Sequence, residues 1–351
     1  MNDQDASRPH PKGVSRRAVG IGLVCCLAIA FGEPYTVMVL HSSPMAADFS
    51  AGAALFLFLL LTLLLNPLAR LLTGSGLHRG EMATAYIMMI VACAIPSWGF
   101  TINLVPLMAG FFYFATPENN WGELIHPYLP EWLVVSDPEV VGKFFEGGAQ
   151  GEAVPWGAWF LPLLAWYCIA FSVYCVTLCL LVVLRKQWME RERLLFPLAT
   201  LPLEMCDQQG RGYLAPFFRN PITWIGFLVP CTINSINALH VYFNYIPAIN
   251  LSSSFPIMRN SINLFTTPRF EVIGLSFLLN LDVSFGVWFF AFLANLQTGF
   301  LRIIGFSIGP MQPYSPPAPP SVAHIAMGAL FFLVFASFWN GREHLKEVLR
   351  K

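Results

Sequence analysis

Long apolar runs recur along this chain and constrain its fold more than any other feature. A helix needs about 20 apolar residues to cross the hydrocarbon core of a bilayer. Hydrophobic residues make up 56% of the chain and charged residues 11%, whereas a soluble domain has about one quarter charged. The sequence therefore predicts an all-α, polytopic transmembrane helical bundle with about six to eight spans plus short re-entrant helices. The apolar runs are 18–40, 53–72, 82–95, 156–184, 221–242, 272–301 and 322–339.

Charged residues flank these runs and orient them by the positive-inside rule. A basic tail (1–17) predicts a cytoplasmic N-terminus, and the charged tail 342–351 favours the same side. The loop at about 117–155 has one lysine and seven acidic residues, which predicts an extracytoplasmic position. The transmembrane domain then covers 18–341. We expect a multi-pass protein of the cell inner (cytoplasmic) membrane.

Two apolar segments, 104–115 and 194–205, are too short to cross comfortably, and loop charges put both ends of each on one side. They are predicted to be re-entrant, which is typical of backbone lining a wet cavity. Surface-lying interfacial helices are the alternative. Between 259 and 341 the number of crossings stays open: either 272–301 forms a hairpin or the Pro-rich stretch 310–320 re-enters.

Ionisable residues at membrane depth are functional candidates because desolvating them is costly. Glu33 lies in the first run before Pro34, which disturbs a helix. A carboxyl beside a broken helix is suited to bind a proton reversibly, although a Glu near the outer end of a span can also reach water. Asp282, two residues after Asn280, is the second candidate. The alternative is that Asp282 lies at the tip of a hairpin at the membrane surface.

Asn234, Asn237 and His240 recur every three residues in the run that begins at Pro221, so they share a helix face. That stripe predicts either a cavity lining or interhelical hydrogen bonding. Glu204 and Glu81 lie at the ends of apolar segments, where a carboxylate at the membrane surface is the alternative to a functional role.

No nucleotide-binding, hydrolase or metal-site motif appears in the sequence. The eight cysteines form no C-x-x-C pair and no cluster with histidine. The net charge of zero gives no basic field for nucleic acid. We therefore expect no cofactor, no metal, no nucleic-acid partner and no enzymatic activity. A membrane-embedded enzyme with a diffuse polar site remains an alternative.

The stretch from Arg185 to Glu204 resembles the oligopeptide transporter superfamily. It has a basic helix end, a short acidic-basic loop and a Leu-x-Phe-Pro pattern followed by small residues, although Leu198 stands where a small residue is usual. The sequence of this stretch is most similar to an uncharacterised bacterial branch of that superfamily, and the chain resembles the N-terminal half of its members. The positions that carry the pattern are Leu194, Phe196, Pro197, Ala199 and Thr200.

This resemblance implies a secondary active, typically proton-coupled transporter, or half of one, for small peptides or similar polar solutes or metal chelates. It also implies a site at the interface of two inverted halves. The expected partners are the lipid bilayer, a small polar solute, protons, and either a second transporter half or further copies of the chain. Pro197 and Thr200 join Glu33, Asp282, Glu204 and the polar stripe as pathway candidates. A non-transporting scaffold subunit is the remaining alternative.

Overall fold

The structure is a computed structural model, and it is helical apart from one β-hairpin over the part of the chain described here. The chain divides into two compact units. The first unit comprises residues 1–180 and 201–220, and the second comprises 181–200 and 221–351. The residues described are 14–39, 45–46, 51–97, 100–149, 151–192, 196–206, 215–306, 320–343 and 346.

The first unit begins with two long helical segments, each interrupted by a proline. Helix α1 (Arg16–Pro34) continues into a π-helical turn (Tyr35–Val39). Helices α2 (Gly52–Leu60) and α3 (Asn66–Thr73) are joined by a second π-helical turn (Leu61–Leu65). A proline has no backbone N–H to donate to the preceding turn, so a helix widens locally around it.

Helix α4 (Arg79–Cys93) runs parallel to α1 and packs closely along it. The Ser15 hydroxyl donates to Glu81 Oε1 at 2.5 Å at their N-terminal ends, across 66 residues of sequence. One to two turns further on, Gly22 faces the backbone of Ala85: a Cβ added at Gly22 would lie 2.5 Å from Met88 Sδ. The core of the unit contains Phe58, Met82 and Met89 between these helices and α2. The helices pack this closely because a glycine leaves room at the contact.

A compact cap follows, built from four helices: α5 (Thr101–Tyr113), α6 (Trp121–Leu124), α7 (Pro138–Glu146) and the start of α8 (Trp156–Lys186). Its core includes Met108, Val135, Val141 and Trp159. The Trp166 indole N–H donates to the Leu133 carbonyl at 2.9 Å, which fixes the loop against α8. Short α9 (Pro197–Cys206) buries Met205 and Cys206 in the core of the first unit.

The second unit contains α10 (Pro221–Tyr242), a hairpin of β1 (Ser253–Ile257) and β2 (Ile262–Thr266), and three helices. The helices are α11 (Phe270–Phe277), α12 (Leu281–Ile303) and α13 (Pro320–Asn340). The strands pair antiparallel, with Phe255 opposite Leu264. The hairpin packs on the last turns of α12, where Gly299 faces Met258 and Ile262 and Arg302 donates to the Ser261 carbonyl.

Within the described residues, six helical segments are long and apolar enough to cross a membrane, so the prediction of a membrane protein with transmembrane helices is confirmed. The hairpin is a departure from the all-α prediction. The predicted run 82–95 forms only the 15-residue α4, about 22 Å long, shorter than a hydrocarbon core of about 30 Å. The six segments are Arg16–Val39, Gly52–Leu72, Trp156–Glu190, Pro221–Tyr242, Leu281–Ile303 and Pro320–Asn340.

The two predicted re-entrant segments form the short helices α5 and α9, and their depth in a bilayer stays a prediction. The broken run 272–301 divides into α11 and α12, with the break at Leu278–Asn280. Several predictions concern residues outside those described. These are residues 1–13 of the basic tail, Leu194 of the family pattern, 310–319 of the Pro-rich stretch, and all but Arg342, Glu343 and Lys346 of the C-terminal tail.

Candidate functional site

Glu33 is a buried carboxylate one residue before the end of α1, with 3% of its surface exposed. The backbone N–H groups of Met45 and Ala46 both donate to its Oε2, each at 2.9 Å. Its Oε1 is also buried and has no hydrogen-bond partner among the described residues. The side chain is thus enclosed by protein, and a role in proton binding stays a prediction. Burial of such an oxygen without a partner is costly, and side chains of this kind are concentrated at functional sites.

The two oxygens of Glu33 have different surroundings. Oε2 ties the end of α1 to Met45, and the Met45 carbonyl in turn accepts from the Ala53 N–H at 2.8 Å, in the first turn of α2. Oε2 therefore connects the ends of two helices through the backbone between them. Oε1 takes no part in this connection. A proton can bind at Oε1 while both backbone N–H groups keep their bonds to Oε2.

A cleft of about 410 Å³ opens beside this site, between α1, α4, α5 and α8. Pro34, the neighbour of Glu33, lines it, together with Pro96 at the end of α4. The rest of its wall is mostly aliphatic, and Thr101 and Tyr167 bring hydroxyl groups. The volume is within the range of small-molecule sites, about 300–1,000 Å³.

At the opposite end of α1, the buried Asn66 and the half-buried Glu81 hold three chain segments together. Asn66, 2% exposed, accepts the Leu77 N–H on Oδ1 at 2.6 Å. Glu81 accepts the Ser15 hydroxyl and the His78 N–H, and these two bonds hold the pKa of Glu81 below its ordinary value. The sequence signal for this cluster was present: Asn66-Pro67 interrupts an apolar run and Glu81 opens another. The sequence does not show which groups form hydrogen bonds with Asn66 and Glu81.

Two residues of the polar stripe on α10 bond to the backbone of the segment that follows the helix. Asn237 both donates to and accepts from the Ile249 backbone, at 3.1 and 2.7 Å. His240 Nδ1 lies 2.5 Å from the Ile246 carbonyl. Both side chains thus hold the segment that follows their own helix. Asn234 is exposed one turn earlier. The stripe brings Asn237 and His240 together, and a role in a solute path stays a prediction.

The remaining candidates lie at helix starts or on exposed faces. Asp282 is exposed in the first turn of α12, where the helix N-terminus favours a negative charge. Glu204 is exposed on α9. Pro197 begins α9, and the Thr200 hydroxyl donates to the Phe196 carbonyl at 3.2 Å. No group of three or more His, Cys, Asp or Glu residues that could hold a metal ion occurs within the described ranges.

Comparison with protein families gives one match, which covers nearly the whole chain. Residues 8–351 match the model of a family described as a family of unknown function, DUF6785. The chain belongs to DUF6785. Neither a curated protein nor a solved structure matches it. The resemblance of this DUF6785 chain to the oligopeptide transporter superfamily therefore stays a prediction based on the 185–204 stretch.

Proposed function

We propose that this membrane protein is a proton-coupled secondary transporter, or half of one, for small peptides or similar polar solutes or metal chelates, and that Glu33 carries the proton. The observation that supports the proposal most directly is the asymmetric carboxylate, with one buried oxygen in two backbone hydrogen bonds and the other without a described partner. The proposal includes an inner-membrane location with a cytoplasmic N-terminus, in keeping with the loop charges.

The carboxylate is suited to proton coupling because its two charge states can share one geometry. The two backbone N–H donors both bond to Oε2, which leaves Oε1 outside these bonds. Protonation at Oε1 removes the charge, which is costly at membrane depth, without breaking either bond at Oε2. The proton-loaded and proton-free forms then differ chiefly in charge. A charge difference of this kind can bias a transporter between two orientations, because each orientation solvates the site differently.

Asp282 is the weaker candidate for the same task. It is exposed in the first turn of α12, and no hydrogen bond to its side chain from a described residue holds it in place as two backbone N–H groups hold Glu33. A proton carrier in a membrane has to be stable both with and without its proton. The buried Glu33, with one oxygen in hydrogen bonds and the other without a described partner, meets that requirement better than an exposed carboxyl does.

The test is solute uptake by proteoliposomes that contain the full chain, purified from its own membrane with any subunit that accompanies it. Accumulation of labelled di- and tripeptides is measured with and without an inward pH gradient. We expect Glu33→Gln to lose gradient-driven accumulation but to keep counterflow exchange, because glutamine can accept both N–H groups yet cannot change charge. Glu123→Gln, an exposed acid of the cap, is the matched control.

Two results would contradict the proposal. Accumulation by Glu33→Gln at the wild-type rate would exclude Glu33 as the proton carrier. The absence of uptake over a broad panel of peptides and chelates, by a protein whose folding is verified, would exclude transport and leave the membrane-enzyme and scaffold alternatives.

A further inference from the structure

The cap carries a second cleft, separate from the Glu33 region, whose lining combines an aromatic wall with a charged rim. The cleft measures about 240 Å³ and lies between α7 and the first turn of α8. Val140, Phe144 and Trp159 form its apolar side, and the two rings are 5.2 Å apart. Lys143 and Glu152 line its polar side.

Two ion pairs hold the charged rim together. Lys143 Nζ lies 2.5 Å from Glu139 Oε1 and 2.5 Å from Glu152 Oε1. The hydrogen bonds that Lys143 donates to Glu139 and Glu152 raise the pKa of Lys143, and the bond that Glu152 accepts from Lys143 lowers the pKa of Glu152. Two carboxylates thus face one ammonium, so the formal charge of this group of three side chains is negative.

The rim has hydrogen-bonding capacity left over. An ammonium has three donors, and Lys143 uses two of them on described partners. Glu152 accepts from Lys143 on Oε1 and from the Ala149 N–H on Oε2, and a carboxylate has about four acceptor positions. The rim thus offers one cationic donor and open anionic acceptors side by side, next to an aromatic wall that attracts both apolar groups and ammonium ions.

We propose that this cleft binds a small zwitterion with an apolar side chain, that is, an α-amino acid or the first residue of a short peptide. The ammonium group of the ligand pairs with Glu152, its carboxylate or first carbonyl accepts from Lys143, and its side chain lies against Phe144 and Trp159. The volume suits one residue better than a whole oligopeptide. The inference rests on the proposed transport function, since it makes the cleft the place where the solute is first captured.

Binding is tested on the full chain in nanodiscs with labelled leucine and leucyl-leucine, measured by scintillation proximity. N-acetyl-leucinamide, which keeps the side chain but lacks both charges, serves as competitor. We expect saturable binding of the two zwitterions and no competition by the neutral analogue. Glu152→Gln should weaken binding about tenfold or more, as expected for the loss of one charge-assisted hydrogen bond.

Two further variants keep the result interpretable. Ala153→Phe fills the cleft without changing a charge, and it should abolish binding. Glu131→Gln neutralises another exposed acid of the same loop outside the lining, and it should bind like the wild type. Wild-type binding by both Glu152→Gln and Ala153→Phe, or no saturable binding at millimolar leucine, would overturn the inference.

The Glu33→Gln variant separates this inference from the transport proposal. Binding that persists in Glu33→Gln while accumulation is lost supports both. Normal uptake by Ala153→Phe would overturn the capture site and leave transport in place. Cleft-dependent binding without uptake of any solute would overturn transport and keep the binding site.

Discussion

The two units of the chain use polar residues in their long helices in different ways. In the first unit, Glu33 and Asn66 are almost fully buried, and each bonds to backbone from a different part of the chain. In the second unit, Asn237 and His240 bond to the segment that directly follows their own helix. A polar residue in an apolar run can therefore either join separate elements of a unit or hold only the segment that follows its own helix, and its spacing in the sequence does not tell which.

The largest effect on the free energy of unfolding is expected at the close contact between α1 and α4. Gly22→Leu should lower the free energy of unfolding by about 3 kcal/mol, because a Cβ at Gly22 would meet Met88 Sδ at 2.5 Å and the backbone of Ala85 at 3.4 Å. Gly20→Leu is the control on the same helix, since nothing lies within 4 Å of its Cβ position. SDS titration in mixed micelles measures both. Equal stability of the two variants would mean that α1 and α4 do not pack as described.

A matched pair of substitutions tests the difference between the units directly. Asn66→Ala should cost about 2 kcal/mol, because it leaves the buried Leu77 N–H without an acceptor. Asn237→Ala should cost less, about 0.5–1 kcal/mol, because water can replace an exposed partner. The same titration applies. A cost at Asn237 as large as at Asn66 would erase the distinction drawn between the two units.

The hairpin of the second unit allows a further, smaller test. A Cβ at Gly299 would meet Met258 Sδ at 2.8 Å and Ile262 Cδ1 at 3.2 Å. Both are ends of flexible side chains, so Gly299→Leu should cost only about 1 kcal/mol and displace the hairpin from α12. Faster tryptic cleavage at Arg259 reports the displacement. Gly286→Leu, in open space on the same helix, should leave the cleavage rate unchanged.

The smallest expected effect is on the pH dependence of the free energy of unfolding. The Ser15 hydroxyl and the His78 N–H lower the pKa of Glu81, so the folded state binds its proton less readily than the unfolded state. The stabilisation is therefore fully present above the ordinary glutamate pKa, about 4.3, and is lost as pH falls through the lower pKa of the folded state. Glu81→Gln should flatten the acid side of the stability profile, from about pH 5 downward, whereas Glu123→Gln should not. An unchanged slope in Glu81→Gln would contradict this linkage.

The long helices could be predicted from the sequence because hydropathy is a local property. The run 18–40 became the Arg16–Val39 segment, and the run 221–242 became α10. The interruption at Asn66-Pro67 was also visible, and it marks a π-helical turn followed by a new helix start. These features depend on residues within one or two turns of each other.

The environment of each candidate residue could not be predicted in the same way. The burial of Glu33 depends on Met45 and Ala46 returning to the end of α1, and the hairpin depends on its contact with Gly299. Such contacts are tertiary, and no periodicity in the sequence reports them. The stripe on α10 had the right spacing, but its partners came from the next few residues of the chain.

The parallel pairing of α1 and α4 also has a consequence for biosynthesis. The two contacting faces are 66 residues apart, with α2 and α3 between them. The ribosome therefore delivers the first helix to the membrane well before its neighbour exists. Until α4 emerges, the Gly22 face of α1 has only lipid or translocation machinery to contact. The main helix partner of α1 is thus the fourth helix to be made, and the close α1–α4 contact can form only after α2 and α3 have been synthesised.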